Sequence, residues 1–207
     1  MSRANTVAAI TSYVCLLVDY DTGRTELRPA SEEAAALAGH VIVLPEPSLT
    51  WGTVEQRAAL AAVPSSPLRW RVGAVAAVLV TAGALMLGRR RHRFRRLAWL
   101  ACSGRKLRPA TACQARYAVC AVRWAARLMP TRWACMEEST SAAVLLVLAR
   151  RRAEWQHGVA VDPARLHAWI NDSDGNPVEE PADTSLYTAT YTPDGPASVG
   201  TGRELQA

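Results

Sequence analysis

The sequence contains no C-x-x-C pair, and its five cysteines, Cys15, Cys102, Cys113, Cys120 and Cys135, are an odd number. A structural zinc site needs clustered ligands at short spacing, so none is expected; nor is a disulfide framework expected, because 207 residues can build a core unaided. A secretory signal is missing too: the apolar stretch at Val14 to Val18 runs into "DYDTGR" without a small-residue cleavage site. Reduced thiols in a cytoplasmic chain are the expectation. Basic charge is not spread along the sequence. The net charge is +6, and "RRRHRFRR", Arg89 to Arg96, holds six arginines and no acid, so this run equals the whole excess. Nucleic-acid binders carry basic residues over a face with aromatics interleaved, so that class is not expected here.

What is present divides into zones. Half the residues are apolar and a fifth charged, as in globular proteins. Residues 1–66 read as a small β-hairpin plus helix followed by a Pro-rich linker. The strands are "YVCLLVDY" and "RTEL", the turn is "DTG" with Gly23 able to take positive φ, and Ser31 caps the helix "SEEAAALAG". Residues 67–107 read as a hydrophobic helical segment closed by the arginine run. Its apolar stretch, residues 72–88, is at the lower length limit for a membrane span, and a core helix or a helix lying on a membrane surface fits as well. Residues 195–207 read as a flexible tail.

Residues 108–194 have the clearest pattern. In "TACQARYAVCAVRWAARLM" the apolar Cys113, Tyr117, Cys120, Trp124 and Leu128 recur at helical spacing, with Arg116, Arg123 and Arg127 opposite. This predicts an amphipathic helix from about Thr111 to Pro130, with Cys113 and Cys120 as core filler. The next segment, "TRWACMEESTSAAVLLVLARRR", puts Glu137 and Glu138 early and Arg150 to Arg152 at the end, the order that suits a helix dipole. Cys135 then sits at a helix N-terminus, where backbone N–H groups favour a thiolate. Beyond it "EWQHGVAVD" and "RLHAWIND" read as strands, "DSDGN" as a turn and "PVEE" as a returning strand.

His167 is the natural base for Cys135, and His157 on the preceding strand is its rival. An orienting carboxylate would complete a nucleophile, base and orienter set. Glu179 and Glu180 are the candidates, on opposite faces because strand side chains alternate, so only one can meet the ring. Asp172 and Asp174 read as turn-formers.

The motifs "ACMEES", "HGVAVDPARLHAWI" and "DGNPVEEP", in that order, resemble the transglutaminase-like leader peptidases of lasso-peptide biosynthesis, the B2-type B proteins. The resemblance implies an α+β, papain-like core with the cysteine on a helix N-terminus packed on an antiparallel sheet. It implies Cys135, His167 and Glu180 as the catalytic set, with Glu179 as the alternative acid, and it matches Ser139 to a family serine. It further implies cleavage of the leader from a ribosomally made precursor without metal or other cofactor. The implied partners are that leader, a B1-type leader-recognition protein and an ATP-dependent lasso cyclase. "LLVDYDTGRTEL" with the helix after it resembles the hairpin of leader-recognition domains, in a shorter form than their winged helix. Two other readings stand beside this one: a transglutaminase-like acyl transferase, and a non-catalytic, membrane-associated scaffold of a peptide-maturation complex.

Overall fold

Alternating or continuous apolar residues in short runs make residues 6–43 a sheet, not a lone hairpin. The computed structural model describes residues 3–44, 65–130, 133–161 and 164–197. Strands β1 (Thr6–Ile10), β2 (Val14–Asp19), β3 (Thr25–Pro29) and β4 (His40–Val43) lie in the order β3-β2-β1-β4. Neighbours are antiparallel except β1 and β4, which are parallel; α1 (Glu32–Ala35) leads from β3 into β4. Ser31 caps α1 by accepting the Ala34 N–H, and Gly23 takes φ +74° in the turn after β2, both as the residue types require. The hairpin expected from the sequence is therefore β2-β3. Its partners β1 and β4 escaped because "TVAAI" and "HVIV" are too short to declare a period.

One face of this sheet buries Ala8, Cys15 and Leu17 under Ala34 of α1. The other buries Val7, Leu16, Val18 and Tyr20 against Val159, Phe94 and Tyr191 from the rest of the chain. A sheet with so few apolar residues gains most of its burial by sharing that second core. Most of the Pro-rich linker (residues 45–64) and most of the expected tail (residues 198–207) lie outside the described residues.

Five elements make the helical layer and its margin: α2 (Leu68–Met86), α3 (Arg93–Ala101), the short β5 (Arg108–Pro109), α4 (Ala112–Ala126) and α5 (Cys135–Leu148). Small residues dominate where α2, α4 and α5 meet, with Ala74, Ala77, Ala118, Ala121 and Ala143 fully buried, so the helices approach closely. Within this contact Ser141 donates to the Thr81 hydroxyl at 2.9 Å and Thr81 donates to the Ala77 carbonyl, which satisfies two buried polar groups. Thr111 caps α4 in a reciprocal box with Gln114, where the sequence placed that helix start. The buried face differs from the expected one. It runs through Ala115, Ala118, Val119, Val122 and Ala125 as well as Cys120, while Cys113 and Leu128 are exposed. In a tightly packed helix the small side chains mark the contact.

The second sheet is antiparallel, in the order β10-β9-β7-β8, with β7 (Glu154–Val161), β8 (Ala164–Asn171), β9 (Thr188–Thr192) and β10 (Gly195–Pro196). The two-residue β6 (Arg151–Arg152) pairs instead with β5. Trp155, Ala168 and Ile170 join the helical core, while Val159 joins the core shared with the first sheet. The expected returning strand at "PVEE" is not formed. Only the bridge between Asn171 and Pro177 continues the ladder, made by the Val178 N–H to the Ile170 carbonyl and the Asp172 N–H to the Asn176 carbonyl. Glu179 then takes φ +55°, which turns the chain out of the sheet. The sequence reading missed β9 and β10, and β9 is the strand that occupies the far edge of β7.

Candidate active site

Helix α5 begins at Cys135 because Ala134, in extended conformation with ψ 175°, interrupts the chain direction there. Alanine makes no side-chain cap, so the first-turn N–H groups are not taken up by the N-cap residue; the Glu137 carboxylate instead accepts the Ala134 N–H at 3.2 Å. The thiol thus stands at the positive end of a 14-residue helix. All five cysteines are free.

His167 comes from β8, the edge strand of its sheet, and its ring is fixed on three sides. Trp169 stacks on it with centroids 5.7 Å apart and planes 12° apart, and the Tyr187 ring lies 5.2 Å away. Nε2 meets Glu180 Oε2 at 2.8 Å, and Cys135 lines the same cavity as the imidazole. With Nε2 engaged by a carboxylate, Nδ1 is the nitrogen left for the thiol proton. Burial alone would lower the imidazole pKa. The interaction with Cys135, the bond to Glu180 and the Glu180 charge outweigh it and push the ring up to about 9.

Glu180 and Glu179 diverge at the left-handed residue. Glu180 turns inward to His167, while Glu179 pairs with Arg116 at 2.7 Å on the outer side of α4. Strand alternation was the wrong reason to separate them, since no strand forms here; the positive φ of Glu179 separates them instead. Arg123, expected on the solvent face of α4, reaches into the site. Its Nη2 donates to Glu180 Oε1 at 2.8 Å, its Nη1 to the Glu179 carbonyl, and its Nε lies 3.5 Å from Glu138. Burial raises the Glu138 carboxyl pKa, against the opposing charge of Arg123. Arg123 and Glu138 were both legible only as helix charges, because nothing local in the sequence says that α4 and the segment after β8 meet.

Cys135, His167, Glu180, Arg123 and Glu138 line one cavity of about 140 Å³, together with Trp133, Ser139, Val119 and Ile170. That is below the roughly 300 Å³ at which small-molecule pockets begin, and it suits one side chain of a longer substrate lying across the opening. Ser139 accepts the Trp155 indole N–H at 3.0 Å, so it braces the start of α5 against β7. His157 does not line this cavity. It is buried against Tyr20, and burial lowers its pKa to about 4. Asp172 accepts the N–H groups of Asp174 and Asn176, and Gly175 takes φ +85°, as turn-formers do. Among the described residues no group of histidine, cysteine and carboxylate side chains could hold a metal.

A mixed α+β core that brings a helix-terminal cysteine to a strand histidine is the framework of thiol-dependent hydrolases and acyltransferases. A family profile described as Transglutaminase-like superfamily matches residues 76–192, more than half of the sequence, and the chain belongs to that superfamily. Membership supports a cysteine peptidase or acyltransferase kind of activity. Searches of curated proteins and of solved structures gave no match.

Proposed function

We propose that this chain is a cysteine peptidase that removes the leader from a ribosomally made lasso-peptide precursor before macrocyclisation. The observation that carries the reading is that Cys135, His167 and Glu180 line one cavity, with His167 bonded to Glu180. In the proposed reaction His167 takes the Cys135 proton at Nδ1 and the thiolate attacks the scissile carbonyl. First-turn N–H groups of α5 stabilise the oxyanion. The imidazolium gives its proton to the departing amine as the C–N bond breaks, leaving a thioester on Cys135. A water deprotonated by His167 then attacks the thioester, and the returning thiolate recovers the proton. Glu180 orients the ring and balances its charge.

A peptide substrate is supported by the surroundings of β8. Arg165 and Leu166, just before His167, line a groove with Leu16, Thr25 and Leu27 of the first sheet. All five residues of β3 are exposed, so this edge strand is open to an extended chain. We infer that the leader lies here, delivered by a B1-type recognition protein, and that an ATP-dependent lasso cyclase takes the product. The test is cleavage of a precursor peptide by the purified chain with its recognition partner, followed by mass spectrometry. Cys135→Ala and His167→Ala should each abolish cleavage, and normal cleavage by Cys135→Ala would sink the proposal. An adduct formed with a supplied primary amine, in place of hydrolysis, would assign acyl transfer instead.

A further inference from the structure

Helix α2 is apolar on both sides, and only one side is covered. Trp70, Ala74, Ala77, Val78 and Thr81 are buried against the helical core. Leu68, Val72, Val75, Leu79 and Met86 are exposed, from 37% for Val75 to 78% for Met86. Their spacing of four, three, four and seven positions keeps them in one stripe along the 19-residue helix. At ~1.5 Å per residue the stripe extends roughly 28 Å. Soluble monomers rarely expose a continuous apolar ridge of that length.

The end of the ridge is strongly basic. Gly88, at φ +81°, turns the chain after α2, and Arg96 donates to the carbonyls of Ala84 at 2.7 Å and Arg89 at 3.1 Å. These bonds tie the arginine run to the C-terminal end of α2, beside exposed Met86 and Leu87. Arg89, Arg90, Arg91 and Arg93 are exposed and carry no carboxylate partner among the described residues; Arg95 lies 3.6 Å from Asp21.

We propose that the outer face of α2 and the arginine run form a docking surface for an anionic lipid bilayer, on which the folded chain rests without crossing it. The helix is long and apolar enough to cross a membrane. Crossing would nonetheless expose the Thr81–Ser141 hydroxyl pair and the buried alanines to lipid. It would also part the first sheet from the second, which share the contact of Tyr20 with His157. Charge and shape identify the occupant. Four guanidinium groups with no carboxylate partner among the described residues, at one end of the ridge, complement anionic headgroups. A convex aliphatic ridge sinks into acyl chains without needing a matching groove, which a protein partner would have to supply along its whole length.

The full chain is mixed with vesicles of phosphatidylcholine alone, or of phosphatidylcholine with phosphatidylglycerol in equal parts, and sedimented. The expected result is partition onto the anionic vesicles about tenfold above the neutral ones, weakened by salt. Leu79→Glu, and separately Arg90→Ser combined with Arg91→Ser and Arg93→Ser, should each reduce partition about tenfold with the circular dichroism spectrum and solution activity unchanged. Leu79→Ser replaces Leu79→Glu if the latter does not fold. Wild-type partition by both variants overturns the proposal. So does a chain that stays in the supernatant with both vesicles, or a concentration-dependent dimer that hides the ridge. Retention after alkaline carbonate washing, with one terminus protected from protease, would show a span and overturn it equally.

Discussion

Arg123 donates from Nη2 to Glu180 Oε1 at 2.8 Å, the carboxylate oxygen that Glu180 does not use for His167. The guanidinium also bonds the Glu179 carbonyl, so one side chain of α4 holds both the carboxylate and the backbone turn that presents it. Arg123 is therefore a positioning residue, acting on His167 through Glu180. Arg123→Gln should lower kcat about tenfold with little change in KM, since it loosens the orienter without touching the peptide. Arg123→Lys should recover only part of the loss, because a point charge cannot fork between the Glu180 carboxylate and the Glu179 carbonyl. An effect on KM alone would contradict this assignment.

The pH dependence follows from His167. Burial lowers its pKa, and the interactions with Cys135 and Glu180 carry it past the usual 6.5 to about 9. A folded-state pKa raised above the unfolded one gives stability that is complete below 6.5 and is lost as pH rises through about 9. Turnover should decline over the same alkaline limb, since the departing amine needs the imidazolium proton. Glu180→Gln keeps the size of the side chain and removes its charge. It should move the alkaline limb to lower pH and reduce kcat roughly 10²- to 10⁴-fold. A pH profile of kcat for both proteins checks this, and an unmoved limb would exclude Glu180 as the group that sets it.

Local signals were legible and contacts between segments were not. Cys135 at a helix start, the helix start near Thr111, the turn at Gly23 and the strand bearing His167 each follow from a few neighbouring residues, and each is present in the fold. Arg123 reads as a solvent-facing charge until the segment after β8 folds back over α4. The choice between Glu179 and Glu180 turns on one left-handed residue that no propensity announces. Strand β9 escaped because the alternation of "TATYT" points the wrong way: its fully buried residue is Thr190, held by hydrogen bonds with Tyr20 and the His157 carbonyl.

Gly158 marks where β9 crosses β7 closely. A Cβ there would lie 2.6 Å from the Thr188 carbonyl oxygen and 2.8 Å from the Trp169 ring, and a backbone oxygen cannot swing aside. Gly158→Ala should destabilise the fold by about 1–3 kcal/mol through overpacking. It should also disturb the ring stacked on His167, because Trp169 is the neighbour that must move. Denaturant unfolding gives the first effect and kcat on the surviving folded fraction the second.

Tyr20, His157 and Thr190 form a buried ring of hydrogen bonds whose proton count admits one direction. The Thr190 hydroxyl donates to the His157 carbonyl at 3.1 Å, so its oxygen accepts from Tyr20 at 2.7 Å. The Tyr20 hydroxyl has then spent its proton and must accept at 2.6 Å from His157 Nδ1, which fixes the neutral ring as the Nδ1–H tautomer. Tyr20→Phe strands the Nδ1–H in a buried site and should cost about 1–3 kcal/mol, read from denaturant unfolding. Burial depresses His157 from 6.5 to about 4. The unfolded chain then takes up a proton that the folded one refuses, so stability is complete above 6.5 and falls as pH drops toward 4. Thermal melts across that window should show the slope in the wild type and flatten it in His157→Gln. Because Tyr20 belongs to the first sheet and His157 to the second, this acid-sensitive joint holds the open edge of β3 beside β8. Mild acid should therefore loosen the peptide groove before it unfolds the helical core, detectable as earlier hydrogen exchange in β2 and β3 than in α4 and α5.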